Sequence, residues 1–343
     1  MIKAVTALSV ALLAGAACGG SPAGSKPVLA EFHTGRHVGP PLVAGAAVWV
    51  ANEADGTVSR IDPASNRVVA TIRVGDPAVM VAGGCGAGST DSFMRDSLLN
   101  RRCDLPSSLA YDGHSIWAAD NASESLARID PRTNRVVRRV AIGADPFALG
   151  WGFGSLWVTS YFGPPQGVLR VDPASGKVIA TIGGPPMGGT GIALGAGAVW
   201  VAGTYSQTLA RIDPTTNRLT AVIPVERYPL AVAAGRRMVW VRNEDSSSVS
   251  RIDPNTNRVA ATAVGLSAPA GSTGDDALAL TSEGLWAASF KLYRIDPAHG
   301  RVTATIDVSG SAVSAGFGSL WLTSVFGTVQ RIDPSSAVAV SGK

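Results

Sequence analysis

The chain has 343 residues, 40 of them glycine and 21 proline, with 16% charged residues and a formal net charge of +4. So small a charge over this length, with no Lys/Arg cluster, argues against nucleic acid or an anionic membrane surface as the partner. The length exceeds the usual single-core size, which points to a repeat or all-β architecture.

Residues 1–18 open with MIK, continue through an apolar run from Ala4 to Leu13 and end in small residues at Cys18. This is the layout of an export signal, too short and too poorly flanked for a spanning helix. The small residues before Cys18 resemble the bacterial lipobox, which implies an acylated Cys18 and membrane attachment through lipid alone. The lipobox prefers Leu where this chain has Gly15, although Leu13 lies close by. Ordinary cleavage after Ala14-Gly15-Ala16, giving a secreted protein, is the alternative. Residues 19–26 (GGSPAGSK) read as a flexible tether, and 27–343 as a single domain. Export brings the chain into an oxidising compartment, so Cys85 and Cys103 form a natural disulfide pair and leave Cys18 for the lipid.

From residue 48 onward one pattern returns. Tryptophan recurs at Trp49, Trp117, Trp157, Trp200, Trp240, Trp286 and Trp321, each followed by RIDP or, once, by Arg170-Val171-Asp172-Pro173. The Trp spacings are 68, 40, 43, 40, 46 and 35 residues, and a period near 40 is the length of a four-stranded propeller blade. The third copy displays the four strands in order: A at 146–150, B at 155–159, C at 168–171 and D at 177–182. All are short, apolar or β-branched, and bounded by Gly or Pro.

Between strands C and D the text is nearly constant: DPASNR, DPRTNR, DPASGK, DPTTNR, DPNTNR, DPAHGR. The Asp accepts backbone N–H groups ahead of it, Pro presets φ, and Asn or Gly tolerates the left-handed conformation that starts the return strand. Asp62, Asp130, Asp172, Asp213, Asp253, Asp296 and Asp333 are therefore read as turn residues rather than as reacting carboxylates. Each indole is expected to pack one blade against the next, and each Arg of RIDP to lay its stem on apolar surface with its head on a neighbouring blade.

The repeat closely resembles the YVTN-type β-propeller family, most clearly in Val239-Trp240-Val241-Arg242-Asn243 and in Arg251 to Arg258. The likeness covers roughly residues 27–336 and implies an all-β, seven-bladed toroid. The last copy loses its strand D after Pro334, while residues 26–35 align with residues 66–75 and so carry an orphan strand D. Pairing the two closes the ring and removes an unpaired strand edge.

In such a meander the A–B and C–D turns share one face, and the B–C and D–A loops share the other. The loops after the Trp strands differ from copy to copy and set aromatics beside polar groups. Asn52, Glu53, Asp120, Asn121, Tyr161, Phe162, Tyr205, Asn243, Glu244, Phe290 and Phe326 are accordingly expected to form one ligand-binding patch at the channel mouth. The insertion at about 76–105 reads as a stapled lid or a passive rim element. Asp91 would cap a short helix there, with Phe93, Met94, Leu98 and Leu99 on its apolar side.

No metal or cofactor signature is present in the sequence, and the four histidines are scattered. His33 falls in the closing strand and His114 and His299 in the regular turns, which leaves His37 on the variable face. The expected function is an exported, monomeric binding module for a small molecule, glycan or envelope protein. A scaffold subunit of an envelope assembly would use the same face. The enzymatic alternative is a lyase similar to the streptogramin B lyases, propellers that open a cyclic depsipeptide with a His base, an acidic residue and a divalent metal. Only His37, with Glu53 or Glu244, could stand for that set, and the family's paired-His arrangement has no match here.

Overall fold

The structure is a computed structural model that describes residues 26–75, 106–160, 166–183, 189–266, 278–324 and 326–340. The insertion with Cys85 and Cys103, the signal with Cys18, and Tyr161 and Phe162 lie outside the described residues. The described chain is all-β apart from two 3-10 turns, Glu53–Asp55 and Pro334–Ser336, and its strands form seven antiparallel sheets. This is the seven-bladed β-propeller expected from the repeat.

Blade 4 shows why the residues take these places. Its strands are Gly189–Gly195, Ala198–Gly203, Thr208–Asp213 and Arg218–Pro224, paired consecutively from A to D. Strand B (AVWVAG) is buried along its whole length, since another blade covers each of its faces. Strand D (RLTAVIP) is largely exposed and forms the rim. Near the axis the A strands approach so closely that glycine is required. A Cβ on Gly191 would lie 2.1 Å from the Leu230 carbonyl oxygen, and one on Gly195 would lie 2.7 Å from that of Ala234.

The ring closes as expected. Val28–His33 pairs with Thr328–Ile332 and supplies the outer strand of blade 7, whose other strands are Ser319–Thr323 and Ala312–Gly316. One feature was not legible in the repeat. After the 3-10 turn the chain adds Val338–Ala339 as a fifth strand outside Arg301–Ile306, so the C-terminus belongs to blade 6 rather than to blade 7.

All seven indoles are at most 1% exposed, and each packs on its neighbour. Trp49 joins Ile116, Ala118 and Ile129 of blade 2, and Trp321 joins Val48, Val50 and Ile61 of blade 1. An indole buries about 150–250 Å², which at about 25 cal/mol per Å² gives an upper bound of about 4–6 kcal/mol per blade boundary.

The Arg of RIDP adds a polar clasp to the same boundaries. Arg60, Arg128, Arg170, Arg211, Arg251 and Arg331 each stack on their own blade's indole, with 4.9–5.9 Å from guanidinium carbon to ring centroid. Four of them then reach the C–D turn of the next blade. Arg211 Nη1 donates to Pro254 O (2.6 Å) and Asn257 Oδ1 (2.8 Å). Arg60 does the same to Pro131 and Asn134, Arg170 to Pro214 and Asn217, and Arg331 to Pro63 and Asn66 across the closure. The turn Asn thus has two tasks. It adopts φ near +54°, and it presents an acceptor to the preceding blade.

Candidate functional site

In blades 1, 2, 3 and 5 strand B ends three residues after its Trp, and the polar residue there (Asn52, Asp120, Ser160 or Asn243) is buried between blades. Asn52 is fully buried, and its Nδ2 donates to Thr57 Oγ1 (2.9 Å) and Ser59 Oγ (2.8 Å) of its own strand C. Asn243 repeats the device on Ser248 Oγ (3.1 Å) and Ser250 Oγ (2.9 Å). Asp120, also fully buried, accepts from Arg139 Nη1 at 2.7 Å, while Arg139 Nη2 donates to the Val74 carbonyl. Asn121 Oδ1 accepts from Ser107 Oγ at 2.9 Å. These side chains hold the loop face together from within, and Asn52, Asp120 and Asn243 do not reach its surface.

The aromatics do reach it. Tyr205, Phe290 and Phe326 are 53%, 49% and 88% exposed on B–C loops of blades 4, 6 and 7. Between blades 4 and 5 they gain a partner that sequence reasoning did not single out. Tyr228 meets Tyr205 edge-on, with ring centroids 5.9 Å apart and an interplanar angle of 88°. Tyr228 sits in the left-handed region (φ 58°) directly before Pro229, where blade 3 has Asp145 before Pro146. The Glu244 amide donates to Tyr228 O (2.9 Å) and the Arg227 amide to Ser246 Oγ (3.0 Å), which stitches the D–A link to the B–C loop of blade 5. Burial, the hydrogen-bonded Tyr205 hydroxyl and the charges of Glu244 and Asp245 push the Tyr228 phenol up to about 12. Tyr228 therefore stays protonated, and the corner sets two aromatic rings beside two carboxylates. The signal that could have revealed it is the aromatic at a position where another copy carries a carboxylate.

His37 lies in the D–A link that enters blade 1. Its carbonyl accepts the Glu53 amide (2.8 Å), and beside it Arg36 binds Asp55 through Nε (2.9 Å) and its backbone amide (2.8 Å). Burial first, and then the Arg36 charge, lower the imidazole pKa, so His37 is neutral at neutral pH. Glu53 is thus His37's neighbour, whereas Glu244 belongs to blade 5. Among the described residues no group of three or more His, Cys, Asp and Glu side chains is placed to hold a metal ion.

Several solved structures share the ring. The β-propeller domain of Myceliophteria thermophila Cps50 (Swd1) superposes with a TM-score of 0.64 at 12% identity, covering 89% of this chain and 98% of its own. Kuenenia stuttgartiensis hydrazine synthase gives 0.66 at 12% identity, covering 91% and 97%, and the computationally designed Ika8 protein gives 0.61 at 13% identity, covering 90% and 100%. The likeness is one of fold. No family model and no curated protein matches the chain by sequence. The shared ring does not by itself fix a function, which the site residues decide.

Proposed function

We propose that this chain is an exported, non-catalytic propeller, anchored by lipid on Cys18 and stapled by Cys85 and Cys103, that binds an organic ligand through its loop face. The observation that carries the reading is the corner of Tyr205, Tyr228, Glu244 and Asp245. Aromatic rings next to carboxylates favour a ligand with a cationic or hydrogen-bond-donating group on an apolar body. A small amine, an amino glycan or a basic segment of an envelope protein has that chemistry. Phe290 and Phe326 extend the apolar contact around the rim.

The test is calorimetric titration with benzyltrimethylammonium. Tyr205→Ala and Tyr228→Ala are expected to weaken binding several-fold with the melting temperature little changed, as loss of a cation–π contact requires. Equal binding by both variants and the parent protein would refute the site. His37, neutral and beside Glu53, supports a second reading as a lyase. Incubation with a streptogramin B and Mg²⁺, followed by mass spectrometry, distinguishes the two: a linearised product that disappears in His37→Ala would replace the binding reading. Labelled fatty acid on the parent but not on Cys18→Ala tests the anchor, and intact mass before and after reduction tests the disulfide.

A further inference from the structure

The turn face should be the featureless one, because every blade builds it from the same text. At the boundary between blades 5 and 6 it is not. An open cleft of about 590 Å³ lies there, lined by Arg236, Arg237, Met238, Trp240, Leu280 and Pro297. That volume is within the range of small-molecule sites.

At the same boundary two bridging residues are replaced. At the clasped boundaries the guanidinium of one blade is held by the turn Asn of the next. Blade 6 has Gly300 at that position, φ +67°, which keeps the turn conformation but has no acceptor. Blade 3 has the same replacement, Gly176, yet its boundary with blade 2 is bridged another way. Arg138 of strand D in blade 2 donates to Ala174 O (2.9 Å) and Ser175 O (2.6 Å). The matching residue of blade 5 is Ala261, whose Cβ is the nearest atom to a Cβ built on Gly300. Neither bridge is present between blades 5 and 6. The Arg251 side chain stays stacked on Trp240 (5.9 Å) and makes no hydrogen bond among the described residues, and its buried Nε has no partner.

The cleft has an apolar floor of Met238, Leu280 and Pro297 over the buried Trp240, with Arg236 and Arg237 beside it. Arg236 and Arg237 are exposed on the A–B turn, and among the described residues neither forms an ion pair. The neighbouring carboxylate, Asp296, is already engaged by the Ala298 amide (2.8 Å) and His299 Nδ1 (2.6 Å). Its oxygens are thus occupied by groups of its own turn.

We propose that this cleft is a binding site, separate from the loop face, for a carboxylate carried on a flat apolar body. The body lies on Leu280, Met238 and Pro297, above the buried edge of Trp240, and the carboxylate meets Arg236 and Arg237. An aromatic acid presents this chemistry either free in solution or as the C-terminal residue of a peptide.

The experiment is titration of the full chain with 2-naphthoate and with its uncharged analogue 2-naphthamide, followed by calorimetry. A second pair of probes is a short peptide ending in Phe, with a free or an amidated C-terminus. Naphthoate is expected to bind saturably and at least about tenfold more tightly than the amide, as two charge-assisted hydrogen bonds require. Binding by the free-acid peptide but not its amide would support the site and assign it to peptide termini; binding by naphthoate alone would support it and assign it to free acids. Arg236→Ala combined with Arg237→Ala should weaken naphthoate binding about tenfold without lowering the melting temperature, since both side chains are exposed. Tyr205→Ala should change nothing, which separates this site from the loop face. Equal affinity for naphthoate and naphthamide, no saturable binding, or full binding by the double Arg variant would each overturn the proposal.

Discussion

Blades 4 and 5 meet through a clasp, and blades 5 and 6 meet through a cleft, although the two boundaries are built on the same tryptophan and the same arginine. Arg211 and Arg251 both stack on their indoles, at 5.3 and 5.9 Å. Arg211 then finds Asn257, whereas the corresponding turn position in the blade after Arg251 is Gly300. The contrast separates what a repeat must have from what it can vary. The indole supplies the apolar contact that every boundary needs, and the turn Asn supplies a polar closure that some boundaries omit, as between blades 2 and 3 and between blades 5 and 6.

The largest effect is expected from opening a boundary altogether. Deleting residues 26–35 removes the outer strand of blade 7 and exposes a strand edge, so the melting temperature should fall by roughly 10 °C or more. A melting curve like that of the parent would show that Val28–His33 does not hold the ring.

Next comes the clasp itself. Arg211→Ala leaves Asn257 Oδ1 and Pro254 O without their donor and should cost about 1–3 kcal/mol. Arg251→Ala loses stacking only and should cost about 1 kcal/mol or less. Equal costs, measured by urea unfolding, would erase the distinction between the two boundaries.

A smaller effect of opposite sign is expected from building the clasp where it is missing. Gly300→Asn places an Asn in the left-handed turn position that Asn257 and Asn217 already occupy (φ 54° and 55°) and gives Arg251 an acceptor. The added Cβ meets Ala261 Cβ at 3.2 Å, a contact that a small shift relieves. A gain of about 1 kcal/mol is expected, or roughly 2–3 °C. The same change at Gly176 should give no gain, because its Cβ would lie 2.9 Å from both Arg138 Nη2 and Val140 Cγ2, where the boundary is already bridged.

The smallest effect follows from acid. Hydrogen bonds from Ser65 and from the Ala64 amide hold the Asp62 carboxyl below the usual carboxylate range, and turn donors do the same for Asp130, Asp172, Asp213, Asp296 and Asp333. A depressed folded-state pKa means that the unfolded chain takes up protons first. The contribution is complete above the unfolded value of about 4 and is lost as pH falls through the lower folded values. The melting temperature should therefore be flat on this account above about pH 5 and decline below about pH 4. All six aspartates are half-buried in surface turns that recur from blade to blade, so the decline should be gradual, and the clasped and open boundaries should decline together. A sharp drop confined to variants of one boundary would place the acid sensitivity elsewhere.

The loop face was legible in part. Tyr205, Phe290 and Phe326 could be assigned to the surface because nothing in a four-stranded blade requires an aromatic after strand B. Asn52, Asp120 and Asn243 could not be separated from them by sequence, since a polar residue at a strand end satisfies a surface loop and a buried hydrogen-bond pair equally well. Only the presence of Ser59 and Ser250 across the strand, within reach of the amide, decides for the buried role.

By itself, the sequence determined the strands, the turns, the number of blades and the strand that closes the ring. Each of these depends on residues close together within one copy, where alternation, proline and the left-handed Asn or Gly act locally. Tertiary structure decided which copies are bridged. Arg211 meets a residue 46 positions ahead and Arg331 one 265 positions behind. It also carried the C-terminal strand to blade 6, brought Tyr228 against Tyr205, and left the Arg251 side chain without a hydrogen bond among the described residues. Those contacts join residues from different blades, and a repeat that makes every copy alike carries no local mark of where one copy will find its neighbour changed.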